Sequence, residues 1–117
     1  MNGFAPLRQV ALPAGTITDE TPSIPLNVQG YRDIAVYLKG TGTINAGVVV
    51  VEEADYNPKT EPIPSAWATL YSFDADDTTG GATVSTHLPT AAYSFIRLRV
   101  TTAIGGGGSV EAAVVAS

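Results

Sequence analysis

The chain has 117 residues, which is the size of one domain and leaves no room for a second. It contains no cysteine, so disulfide scaffolds, thiolate zinc sites and cysteine nucleophiles are excluded. Its net charge of −5 has the wrong sign for a nucleic-acid-binding protein, which must neutralise phosphates. Charged residues make up only 15% of the chain. Since an average domain has about 25%, the surface is either weakly polar or partly covered by a partner.

We expect no targeting signal in the first residues. The segment 1–6 lacks the basic region and the apolar run of a signal peptide, and the longest apolar stretch, 48–51, is far too short to cross a membrane. We therefore expect synthesis in a cytoplasm and no membrane association. Residues 1–7 are expected to be either an N-terminal arm or a frayed terminus, and residues 8–117 the single domain.

In chain order, apolar residues alternate with a period of two almost everywhere, which predicts β-strands. The alternating runs cover residues 8–12, 24–28, 33–39, 94–100 and 110–114. The run Val48–Val51 is apolar on both faces and β-branched throughout, which predicts a central strand covered on both sides.

Glycine and proline separate these runs and break every candidate helix. Turn clusters lie at 13–15, 40–42, 56–64, 74–81 and 105–108. Seven or eight short strands at this spacing predict an all-β protein, an antiparallel β-sandwich or jelly roll, with less than about a tenth of the chain in helix. Residues 93–102 and 109–116 are predicted to form a hairpin through the glycine run between them.

One face of each predicted strand supplies the core. The inward residues are expected to be Val36, Leu38, Val49, Val51, Leu70, Ile96, Leu98, Val100, Val110 and Val114.

The run 74–81 is the one carboxylate cluster that could hold a hard cation such as calcium. Compared with an EF-hand loop, it has Thr79 where glycine is needed and Ser85 where the bidentate glutamate is needed. We therefore interpret Asp74, Asp76 and Asp77 as a solvated turn and expect no metal.

The residues assemble no catalytic constellation, so we expect a non-enzymatic protein without a cofactor. Glycosidase chemistry requires two facing carboxylates, and the acids that gather near one strand end are interpreted as a solvated rim. These acids are Glu52, Glu53, Asp55 and Glu61. His87 lies in Ser85–Pro89 without a nucleophile elbow, and we expect it in a surface loop.

Two sets of aromatic residues are candidate binding surfaces. Trp67, Thr69, Tyr71 and Phe73 alternate and are predicted to share one face, which either fills the core or exposes Trp67 and Tyr71 as a platform for sugar rings. We favour the core.

The second set lies on the strand near the C-terminus. Tyr93, Phe95, Arg97 and Arg99 share a face, which is either an ordinary outer face or a contact patch, since tyrosine and arginine are enriched in interfaces.

The segment 93–102, the glycine turn after it and the small-residue strand 109–115 together resemble the C-terminal hairpin of small tailed-bacteriophage virion proteins. The strand with Trp67, the acidic glycine-rich loop after it and the run 33–42 are similar to the same group, so the resemblance covers roughly residues 30–117. The proline-rich stretch 57–64 is longer than that pattern has.

The resemblance implies a structural protein of the virion, most directly a capsid decoration (cement) protein on the outside of the head. It implies binding to copies of itself, with a trimer suited to local three-fold positions, and to the major capsid protein or other virion proteins. No catalytic residue, nucleic acid or membrane is implied. The alternative is a carbohydrate- or ligand-binding β-sandwich or a tail-associated adhesion module.

Overall fold

The computed structural model of the chain describes residues 6–19, 24–54, 66–88 and 95–117. It contains eight β-strands in these ranges, and a 3-10 helix lies between the fifth and the sixth. The strands are β1 (Leu7–Thr16), β2 (Leu26–Asn27), β3 (Ile34–Thr41), β4 (Ala46–Ala54), β5 (Ala68–Asp74), β6 (Thr83–Leu88), β7 (Phe95–Gly105) and β8 (Ser109–Ala116), and the helix is Ala75–Gly81.

The strands form two four-stranded antiparallel sheets that pack face to face. The first sheet has the order β1-β8-β3-β6 and the second has the order β2-β7-β4-β5. These two orders are those of a jelly roll. Successive strands lie in different sheets, except that β4 and β5 are neighbours in the second sheet. The predicted all-β sandwich of the jelly-roll kind is therefore confirmed.

The predicted core lies between the two sheets. Nine of the ten residues expected to point inward are buried, since only Leu70 is half-exposed while packing against the core. The strand that holds Val48–Val51 lies between β7 and β5, and its valines from Val49 onward are buried, which confirms the predicted central strand.

The predicted hairpin between β7 and β8 is wrong, because these strands belong to different sheets. Alternation of apolar residues shows which face of a strand is buried but not which strand lies beside it. The glycine run instead carries the chain from the second sheet to the first. Gly108, the last residue of this run, packs closely against the segment after β3. Its N–H donates to the carbonyl oxygen of Thr43 at 2.8 Å, and a β-carbon at position 108 would collide with the carbonyl oxygens of Thr41 and Thr43.

Two local predictions also need correction. The turn expected at 13–15 lies inside β1, where the pairing with β8 shifts register on both sides of Leu12. This shift places Val10 outside while Leu12 is buried, although an unbroken strand would put both on one face. His87 lies in β6 and not in a loop.

The 3-10 helix closes one end of the sandwich. Thr78 is fully buried there and donates its hydroxyl to the carbonyl oxygen of Ala75 at 2.7 Å, while the backbone N–H of Ile44 donates to the hydroxyl of Thr79 at 2.9 Å. Gly40 in β3 leaves the space that Thr78 occupies, because a β-carbon at position 40 would overlap the Thr78 carbonyl group. Of the candidate arm, residues 1–5 lie outside the described residues, and β1 begins at Leu7.

Candidate binding site on the second sheet

The outer face of the second sheet brings three charged side chains together from two neighbouring strands. Glu52 in β4 pairs directly with Arg97 in β7, and Arg99 lies two residues further along β7 opposite Val50. Since side chains two apart in a strand point to the same face, both guanidinium groups reach the same carboxylate.

Glu52 is the centre of this cluster. Its Oε1 accepts hydrogen bonds from Nε of Arg97 at 2.8 Å and from Nε of Arg99 at 3.1 Å. Its Oε2 accepts a longer one from Nη2 of Arg99 at 3.4 Å, and Nη1 of Arg99 donates to Asp19 at 3.3 Å. Only 5% of the Glu52 side chain is exposed, against 23% for Arg97 and 36% for Arg99. The carboxylate is therefore buried and the arginines are partly accessible.

The arginines decide the ionisation of this carboxyl group. Burial raises the pKa of Glu52, but the hydrogen bonds and positive charges of Arg99 and Arg97 outweigh burial and leave the pKa below its usual value. The hydrogen bonds to Glu52 and Asp19 in turn raise the pKa of Arg99. Glu52 and Arg99 are therefore both charged at neutral pH.

Trp67 completes the site. The guanidinium carbon of Arg97 lies 4.2 Å from the centroid of the Trp67 ring, which is a cation–π contact. Because Glu52 holds the Nε edge of Arg97, the guanidinium plane is fixed over the ring. We call Trp67, Arg97 and Arg99 the Arg–Trp patch.

The predicted common face of Trp67 and Tyr71 is wrong, because β5 contains a β-bulge. Val51 pairs with Tyr71 and the next residue, Glu52, pairs with Thr69, so Leu70 is an extra residue that has no partner in β4. Trp67 thus lies on the outer face with Arg97. Tyr71 lies on the other side, where its ring packs edge-to-face against buried Phe73 with 4.9 Å between centroids.

The predicted filling of the core by these aromatic residues is accordingly confirmed only for Phe73. Trp67 is half-buried, and Tyr71 remains 42% exposed at the edge of the sandwich. The residues predicted as a sugar platform are therefore accessible to different extents and do not form one surface.

The four residues predicted as a contact patch are brought together in part. Arg97 and Arg99 share the outer face, as expected. Phe95 shares this face as well, because it pairs with Ala54, two residues from Glu52 in β4, and it is half-buried. Tyr93 lies outside the described residues.

Sequence reasoning missed Glu52, which was expected on a solvated rim. The signal was present: Glu52 has the same parity as Val48 and Val50 in a strand predicted to be covered on both faces. A buried glutamate requires a positive partner, and Arg97 and Arg99 were the two basic residues with matching spacing.

A second surface lies at the open edge between the sheets, where β5 and β6 face a cleft. Its volume is about 380 Å³, and its lining includes Tyr71, Asp74, Asp77 and Ser85. The carboxylates of Asp74, Asp76 and Asp77 lie within 4.8 Å of one another, and all three side chains are exposed. Asp74 is the N-cap of the 3-10 helix, and Asp76 and Asp77 lie in its first turn.

The outer face of the first sheet holds a third surface that the sequence analysis did not identify. Val10, Ala113, Tyr37 and Ser85 form one row across its four strands. Val10 is 56% exposed, and a groove of about 210 Å³ runs over Ala113. We call these four residues the Tyr37 row.

Comparison with known proteins adds no relative. The chain matches no protein-family model, and no curated protein is significantly similar to it in sequence. Among the described residues, no helix is long and apolar enough to span a membrane.

Proposed function

We propose that this protein is a non-enzymatic structural component of a tailed-bacteriophage virion, a decoration protein that binds the outer surface of the capsid shell and stabilises the head. The observation that carries the proposal is the Arg–Trp patch. Because jelly rolls serve unrelated functions, the proposal rests on this surface and on the resemblance of residues 30–117 to virion proteins, and not on the fold.

The Arg–Trp patch has the chemistry of a protein-binding surface. Tryptophan and arginine are the residues enriched at the energetic centres of interfaces. Glu52 holds Arg97 in place before any partner arrives, so binding costs little side-chain entropy. The charges of this cluster balance, because it contains two arginines, Arg97 and Arg99, and two carboxylates, Glu52 and Asp19. Contact with a shell therefore does not require a strongly acidic shell surface.

The Tyr37 row supports self-association as part of the same function. Val10 and Tyr37 expose apolar surface on a sheet face that also carries the charged residues Arg8, Lys39 and Glu111. Linked copies would remain on a shell longer than single copies, because release requires every contact to break. The net charge of −5 favours the outside of the particle, away from packaged nucleic acid.

Particle composition and shell binding test the proposal. Mass spectrometry of purified phage particles should find the protein in stoichiometric amounts with the major capsid protein. Purified protein should then sediment with shells that lack it and appear on their outer surface in electron micrographs. Absence from particles, or no binding at saturating concentration, would overturn the proposal.

A carbohydrate-binding module is the second candidate, and Tyr71 favours it. Its exposed ring lies in the cleft with Asp74, Asp77 and Ser85, which offers a stacking surface beside hydrogen-bonding groups. On a glycan array, this function predicts specific retention that Tyr71→Ala abolishes and Trp67→Ala preserves. Retention of neither the protein nor its variants would exclude this candidate.

A further inference from the structure

The two sheets end in four edge strands, and three of them carry features that prevent pairing with another chain. β1 contains Pro13 and two register shifts, β2 has only two residues, and β5 has the bulge at Leu70. Proline, bulges and short length are the usual means by which edges avoid intermolecular pairing.

β6 has none of these features. Its six residues pair with Ile34–Lys39 in unbroken register, and the strand contains no proline, glycine, lysine, arginine or carboxylate. Thr83, Ser85 and His87 are exposed, and no strand in the described part of the chain lies on the other side of β6. Its outer backbone groups are therefore a template for another strand.

We propose that β6 is a dimerisation edge, which pairs antiparallel with β6 of a second copy and joins the two first sheets into one eight-stranded sheet. The inference rests on the self-association in the proposed function and names its surface. A two-fold axis gives both copies the same contact, and β6 itself brings no like charges together, although Asp74 and Asp77 line the cleft beside it.

The pleat of the sheet restricts the register. In an antiparallel pair, directly opposite residues point to the same face of the sheet. A two-fold axis between two successive residues would pair side chains that point to opposite faces, so the axis must pass through a residue. An axis at Ser85 pairs Thr83 with the partner's His87, both exposed. An axis at Thr86 would instead leave exposed Thr83 without an opposite residue inside β6, which ends at Leu88. The geometry therefore favours Ser85.

Pairing at Ser85 also extends the Tyr37 row. Ser85 is the last member of that row, so the row continues through the partner's Ser85 to the partner's Tyr37. The small serine side chains leave the seam open, and the two grooves over Ala113 face the same side of the dimer.

Single-cysteine cross-linking tests this pairing cleanly, because the natural chain has no cysteine. Opposite residues in an antiparallel pair have Cα atoms about 4.5–5.5 Å apart, which is within disulfide range. Ser85→Cys should form disulfide dimers rapidly on mild oxidation, and Gln9→Cys on β1, at the opposite edge of the first sheet, should not. Thr83→Cys and His87→Cys should each cross-link poorly alone and well when mixed.

Analytical ultracentrifugation gives the independent measurement. The natural chain should be dimeric, Ser85→Lys monomeric and the matched control Gln9→Lys dimeric, with circular dichroism showing that each variant is folded. A monomeric natural chain, or equal cross-linking of Ser85→Cys and Gln9→Cys, would overturn the inference. Neither dimerisation experiment contains shells, so the two proposals can fail separately. A dimer that does not bind shells would overturn only the proposed function. A monomer that binds them would overturn only the dimerisation edge.

Discussion

The Nε of Arg97 donates to Glu52 at 2.8 Å while the same guanidinium lies over the ring of Trp67. The two contacts use different parts of one planar group: the edge meets the carboxylate and the face meets the ring. This arrangement explains why a glutamate is tolerated on a face of β4 that also carries the apolar residues Val48 and Val50. It also links the stability of the second sheet to the shape of the Arg–Trp patch.

Glu52→Gln should destabilise the protein by about 1–3 kcal/mol at pH 7, because both arginines lose their charged partner. The pKa of Glu52 is lowered by folding, so its contribution is fully present above the unfolded value of about 4.3 and is lost as the pH falls through the folded value. The difference between the natural chain and Glu52→Gln should therefore shrink below about pH 4.

Urea denaturation at a series of pH values measures this difference. Glu111→Gln, on the first sheet, serves as the control variant. A Glu52→Gln difference that stays constant from pH 7 to pH 3 would show that the carboxylate charge does not stabilise the fold.

Leu98→Ala should cost on the order of 2–5 kcal/mol, because Leu98 is fully buried between the sheets and its loss leaves a cavity. Chemical denaturation at neutral pH checks the value. A change below about 0.5 kcal/mol would mean that this face of β7 does not contribute to the core.

Gly40→Ala should destabilise the protein by about 1–3 kcal/mol through overpacking, since the new methyl group would displace the chain at Thr78. Gly15→Ala is a useful contrast, because position 15 has a positive φ but open space around it. Its cost should be limited to backbone strain of about 1 kcal/mol. Equal stability of the natural chain and Gly40→Ala would contradict the tight contact between β3 and the 3-10 helix.

Asp74, Asp76 and Asp77 should behave as a solvated turn. Thermal midpoints measured with millimolar calcium and with a chelator should agree, in the natural chain and in the variant with all three residues changed to asparagine. Because a ligand that binds only the native state raises stability, a calcium-dependent rise of several degrees in the natural chain alone would establish a metal site.

The sequence predicted which face of each strand is buried better than it predicted which strands lie side by side. Ile96, Leu98 and Val100 are buried as their alternation indicates, because period two follows directly from strand geometry. The hairpin of β7 and β8 was wrong, since the same alternation suits a strand in either sheet. Pairing is decided by contacts between segments distant in sequence, and local pattern does not record them.

The sequence predicted the candidate site correctly on β7, which is regular at Arg97 and Arg99, but not on β5, which contains a bulge. Arg97 and Arg99 share a face because β7 is regular there. Leu70 inserts one residue into β5, which reverses the side of Trp67 relative to Tyr71. The residue type at position 70 does not signal this reversal, so counting by two placed Trp67 and Tyr71 on one face.

Quantitative co-sedimentation with shells that lack the protein tests the binding role of the Arg–Trp patch most directly. Arg97→Lys keeps the charge but loses the planar group that spans Glu52 and Trp67. The natural chain and the matched control Arg32→Lys, at an exposed position between β2 and β3, should bind shells with equal affinity. Arg97→Lys should bind about tenfold or more weakly, as expected for a residue at the centre of an interface. No binding by the natural chain, or equal binding by Arg97→Lys, would contradict this role.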